Sequence, residues 1–133
     1  MNVGKSANVS KTGLITALAW VIDNKPTYLV EGFVATVGTF IDWFNQIFQL
    51  TENLESLNEL ANQVQDTEKL LILPTLVGIQ YPYFNSSVNA SIQGMSPATG
   101  KTHIARAIFE GIACELRILL TEYKKKLALP FTL

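Results

Sequence analysis

ASIQGMSPATGKTHIARAIFE, residues Ala90 to Glu110, decides how the rest of the chain is read. Ile92 stands between small and polar neighbours, as in a short strand entering a core, and Gly94 breaks that strand. Ser96 to Gly100 carries serine, proline, threonine and glycine, the residues of a turn. Lys101 or Thr102 then opens a long helix. Its apolar positions, Ile104, Ile108, Ile112, Leu116, Leu119, Leu120 and Tyr123, recur every three to four residues and predict one buried face. A glycine-rich loop between a strand and a helix invites comparison with a phosphate-binding loop. That loop needs four residues between its glycines, so that consecutive N–H groups curl around a phosphate. Here five residues, Met95 to Thr99, separate Gly94 from Gly100, and one of them is a proline without an N–H. The spacing argues against a phosphate loop.

The same stretch resembles the second signature of the FGGY carbohydrate kinases. Ala90, Ile92, Gly94, Met95, His103, Ile104, Ala107, Ile108, Phe109 and Glu110 occupy its fixed slots. Flanking segments extend the likeness from about Met1 to Lys124. Gly13 to Trp20 is similar to a strand of the family. TYLVEG (Thr27–Gly32), VQDT (Val64–Thr67) and LPTLVGIQYPYF (Leu73–Phe84) resemble segments of its glycerol kinases.

The resemblance implies an α/β fold, part of an actin-like, ribonuclease-H-like kinase domain, with a mixed sheet, a β-hairpin and flanking helices. Residues 1–133 are then a partial C-terminal, nucleotide-side domain, with 125–133 as a divergent tail. It implies transfer of the ATP γ-phosphate to a hydroxyl of glycerol or a related polyol, with ATP and Mg²⁺ as cofactors. The partner across the cleft is an N-terminal kinase domain outside these residues. The family's catalytic aspartate lies upstream as well, so no residue here is assigned a catalytic role and the fragment is expected to be inactive by itself.

Two residues carry over to nucleotide binding. Gly38 matches the glycine of a Gly-x-x-x-Gln pattern at a helix start, where a side chain would collide with the nucleotide. Another reason for a glycine inside a helix is packing against a neighbour. Asp42 stands where the family has glutamine. An amide donates hydrogen bonds to a ribose or base; a carboxylate only accepts and adds charge near phosphates. Asn89-Ala90-Ser91 replaces a usual Ala-Arg-Gly, Phe84 a tryptophan and Asn85 an aspartate. These departures motivate a second reading, a non-catalytic interaction or regulatory module derived from such a kinase.

Composition narrows the classes further. At 133 residues the chain is long enough for one domain with a moderate core. It is 48% apolar and 16% charged, which suits a globular chain. A formal net charge of −1 gives no electrostatic case for nucleic acid or an anionic membrane. Lys124, Lys125 and Lys126 sit at a helix end, where cations complement the helix dipole. Cys114 has no second cysteine to pair with, no Cys/His cluster suggests a metal, and a reducing, cytoplasmic setting fits. No apolar run reaches the length of a membrane span. A homo-oligomer is compatible with everything read so far.

In chain order, Met1 to Lys11 reads as a loop or frayed end. Leu14 to Ile22 and Thr27 to Val30 form a hairpin around a turn at Asp23–Pro26. Phe33 to Leu50 takes a helical period. Thr51 is the expected N-cap of a second helix that ends near Gln65, with Leu54, Leu57, Leu60, Ala61 and Val64 buried. Leu70 to Leu73 reads as a buried strand. Thr75 to Asn89 reads as an ordered surface lobe or binding loop, with Tyr81, Tyr83 and Phe84 suited to packing or stacking. His103, at a helix start, suits capping better than catalysis. Glu110 suits an ion pair with Arg106 better than an acid/base pair with Glu115.

Overall fold

The computed structural model describes residues 2–7 and 13–127. Strands β1 (Asn2–Gly4), β2 (Ile15–Ile22) and β3 (Lys25–Glu31) are followed by helices α1 (Val37–Phe48) and α2 (Leu54–Ala61). Strands β4 (Leu71–Leu73) and β5 (Ser91–Gln93) then lead into the long helix α3 (Lys101–Leu127). The α/β class and the hairpin are as the sequence predicts. The described strands divide over two small antiparallel sheets, β1-β3-β2 and β4-β5. Asn2 to Gly4, read from sequence as loop, pairs with Tyr28 and Leu29 of β3 instead.

The hairpin turn is tighter than expected. Asp23 and Asn24 have φ of 49° and 57°, the pair of left-handed residues that a two-residue turn needs to follow the twist of its strands. Asp and Asn tolerate that region better than most residues. Two residues therefore suffice, and Lys25 and Pro26 join β3 opposite Ile22 and Val21. Proline is accommodated because β1 reaches β3 only at Tyr28 and Leu29, leaving Pro26 on an edge.

Helix α2 starts two residues later than expected. The Asn53 side chain accepts from Ser56 N at 2.8 Å and is the cap. Thr51 is held elsewhere: its N–H donates to Asn45 Oδ1 (3.0 Å), and Asn45 Nδ2 donates to its carbonyl (3.1 Å). The helix closes at Ala61, short of Gln65, because Gln63 N turns back to Leu60 O in a tight final turn. Likewise Phe33 to Thr36 lie outside α1, which begins at Val37.

The main core joins Phe40 and Phe44 of α1, Leu57 and Ala61 of α2, Ile72 of β4, and Ile104, Ile108 and Ile112 of α3. Phe44 stacks on Phe48 with centroids 4.3 Å apart. A second, smaller core holds Leu14, Val30 and Leu119, with Tyr123 at its rim donating to Val30 O at 3.3 Å. Helix α3 thus serves both cores, its first half the main one and its second half the three-stranded sheet. It approaches β4 closely at Gly111, where a Cβ would lie 2.3 Å from the Ile72 carbonyl oxygen. Several residues expected in the buried stripes are exposed: Leu54 in α2, Leu116 and Leu120 in α3, and Leu71 in β4 at 63%. Their apolar pattern matches a burial that no described element supplies.

Candidate functional site

Helix α1 presents the two residues singled out from sequence. Its N-cap, Thr36, sits in the left-handed region (φ 59°, ψ 20°) and makes no side-chain capping bond. The first turn holds no acidic residue. Phe40 N closes the first helical bond on Thr36 O at 2.7 Å. The N-terminal N–H groups and the positive end of the helix dipole therefore meet neither a capping side chain from Thr36 nor an acid of the first turn. Gly38, the second helical residue, is exposed, and a Cβ built there meets nothing within 4 Å. Packing against a neighbour in this chain does not account for the glycine. Asp42 is exposed four residues on, along the same helix face.

The loop before α3 is closed by its own groups. Ser96 N donates to Thr99 Oγ1 (2.9 Å), Ala98 N to Ser96 Oγ (3.2 Å) and Gly100 N to His103 Nδ1 (3.0 Å). Those N–H groups are engaged by the chain itself, and Lys101 Nζ donates to the Gln49 carbonyl just past the end of α1. This is the arrangement of a capped helix start and not of a phosphate loop. His103 takes the capping role expected of it. Arg106 Nε meets Glu110 Oε1 at 2.7 Å on the surface, also as expected.

The segment after β4 is an ordered lobe. Ile79 and Asn85 exchange both backbone bonds at 3.0 Å, and Phe84 N donates to Gln80 O at 2.7 Å. Tyr81 and Phe84 meet edge to face with centroids 6.3 Å apart, so these two rings pack on each other, while Tyr83 is exposed. Between β4, β5 and α3 runs a largely apolar groove of about 400 Å³, bordered by Leu71, Leu73, Gln93, Cys114 and Ile118.

A polar pair escaped the sequence reading. Glu115, considered there only as a companion of Glu110, lies at i+3 from Ile112 and i−4 from Leu119, on the buried stripe of α3. Its Oε1 and the Oγ1 of Thr75 are buried without a hydrogen-bond partner among the described residues. Burial pushes the Glu115 carboxyl above its ordinary value. The signal was present, an acid in an apolar helical stripe, but its companion lies far away in sequence.

Among the described residues no three His, Cys, Asp or Glu side chains gather as a metal-ion ligand set. No described helix is long and apolar enough to cross a membrane.

Comparison with known proteins agrees with the fold. The C-terminal domain of the FGGY family of carbohydrate kinases matches residues 1–131. A glycerol kinase of Acinetobacter baylyi is 34% identical over 129 residues, 97% of this chain and 26% of that protein. A glycerol kinase of Caldanaerobacter subterraneus is 36% identical over 120 residues, 90% of this chain and 24% of that one. A crystal structure of Plasmodium falciparum glycerol kinase with ADP superposes with a TM-score of 0.84 at 27% identity, covering 98% of this chain and 26% of that one. The chain therefore spans about a quarter of the length of the relatives it matches.

Proposed function

The chain belongs to the FGGY family of carbohydrate kinases, and from that membership we propose that it is the nucleotide-side part of an ATP-dependent polyol kinase, with glycerol as its substrate. The observation that carries this reading is the family match over residues 1–131, reinforced by glycerol kinases at 34% and 36% identity. Phosphoryl transfer asks a protein mainly for positioning and for electrostatic stabilisation of phosphate charge. Helix α1 is suited to a share of that work. Its uncapped N-terminus offers N–H groups and partial positive charge to an anionic ligand. Gly38 leaves room for a nucleotide to approach the backbone, and Asp42 accepts hydrogen bonds from ribose hydroxyls. The remaining contacts, including the catalytic base, come from an N-terminal domain across a cleft, so the segment by itself does not turn over. The exposed apolar side chains of Trp43 and Ile47 on α1 are consistent with a covering partner.

A second reading, a non-catalytic interaction module, is favoured by Asp42: a carboxylate replaces the family's amide and repels phosphate. Titration of ADP into the isotope-labelled chain, followed by amide shifts, separates the two. Nucleotide binding at α1 moves the amides of Val37 to Asp42 and does so less in a Gly38→Trp variant. No shift along α1 at millimolar ADP favours the interaction module.

A further inference from the structure

We propose that Thr75 and Glu115 jointly hold one water molecule, which fastens the segment after β4 to helix α3. The two side chains line one small cavity. Its wall is built from Phe33, Val34 and Ala35 ahead of α1, from Pro74 and Gly78 to Tyr81 after β4, and from Glu115 on α3. Three segments that are remote in sequence therefore meet around it. About 10 Å³ is open there to the centre of a water-sized sphere, roughly the room one water occupies.

The polar atoms say what that room is for. Thr75 is 3% exposed, and its hydroxyl has no hydrogen-bond partner among the described residues. The same holds for Glu115 Oε1. Buried polar atoms are rarely left unmatched, because desolvation without a partner is costly. The two atoms do not bond each other. One water between them accepts from the Thr75 hydroxyl and donates to the Glu115 carboxyl oxygen, meeting both needs with the two partners such a site requires. An apolar liquid-filled gap or an anion fits the lining less well: the one adds no partner and the other opposes a carboxylate.

The titratable group facing Glu115 from the segment after β4 is Tyr81, which in turn interacts with Lys125 further along α3, and its neighbours on α3 are Cys114 and Glu110; among the described residues no Lys, Arg or His lines the cavity itself. Burial raises the carboxyl above 4.5, so the folded chain binds the proton more tightly than the unfolded chain. Glu115 thus costs nothing below its unfolded value. Stability is lost as pH rises through the raised folded value, and the loss is complete above it.

The test uses the whole chain and no nucleotide, so its outcome is independent of the kinase reading. Thermal unfolding of wild type and Glu115→Gln is followed from pH 4 to pH 8. The amide keeps the hydrogen bond and cannot ionise. The two proteins are expected to melt together at the acid end, and the variant to gain several degrees over wild type as pH rises, then hold that margin. Thr75→Val is expected to lower Tm in wild type and to do so much less in a Glu115→Leu background. Water-to-amide magnetisation transfer at Thr75, measured on wild type, reports the bound water without any variant. Parallel pH curves, additive Thr75 and Glu115 effects, or absence of a long-lived water near Thr75 would each overturn the proposal.

Discussion

At Gly38 the proposed nucleotide contact can be told apart from stability at a single residue. Because a Cβ there meets nothing within 4 Å, Gly38→Ala removes only the entropic cost of a helical glycine. We expect it to stabilise the chain by about 0.5–1 kcal/mol in urea unfolding, and to weaken ADP binding, since the open space would serve the nucleotide and not the fold. Lys101→Ala is the control. Its amine serves the Gln49 carbonyl, so nucleotide affinity stays unchanged while stability falls slightly. Gly111 makes the opposite case. A methyl group 2.3 Å from the Ile72 carbonyl must push α3 away from β4, and Gly111→Ala should cost about 1–3 kcal/mol by the same measurement. The polar pair Thr75 and Glu115 adds a pH signature at this scale, through the penalty for ionising a half-buried carboxyl.

At the scale of elements, what was legible depended on how local the deciding force is. Helix α3 was legible because Ile104, Ile108 and Ile112 recur at one period and His103 caps its own first turn. The hairpin is legible, but its turn is tighter than its composition suggests: Lys25 and Pro26 look like turn residues, yet Asp23 and Asn24 already close it. The start of α2 is not legible to the residue because Thr51 and Asn53 are equally good caps in isolation. A contact from another helix decides between them, Asn45 binding both backbone groups of Thr51. Asn53→Ala should accordingly cost α2 about 1 kcal/mol, read as a drop in unfolding free energy. The Thr75–Glu115 cavity was illegible for the same reason, since three distant segments build it.

For the molecule as a whole, the sequence pattern asks for more burial than the described residues provide. Leu71, Leu116 and Leu120 follow core periodicities and remain exposed, as do Leu18, Trp20, Val21 and Ile22 along the hairpin. A chain spanning about a quarter of its relatives' length, with such surfaces, fits a segment shaped to be covered by the rest of a kinase. The candidate site follows the same logic: α1 offers N–H groups, an open glycine and a carboxylate, which makes one wall of a site and not a whole one. Family membership was readable from the signature at Ala90–Glu110, whereas the role of Asp42 was not, because a single replaced side chain carries no record of its ligand. The most direct measurement is a segment exchange, with residues 1–131 replacing the matching segment of the Acinetobacter baylyi glycerol kinase. The folded hybrid is then assayed for ATP-dependent phosphorylation of glycerol. The account predicts measurable turnover, with a KM for ATP that rises in the Gly38→Trp hybrid. A well-folded hybrid that binds glycerol but neither binds ADP nor transfers phosphate would contradict it.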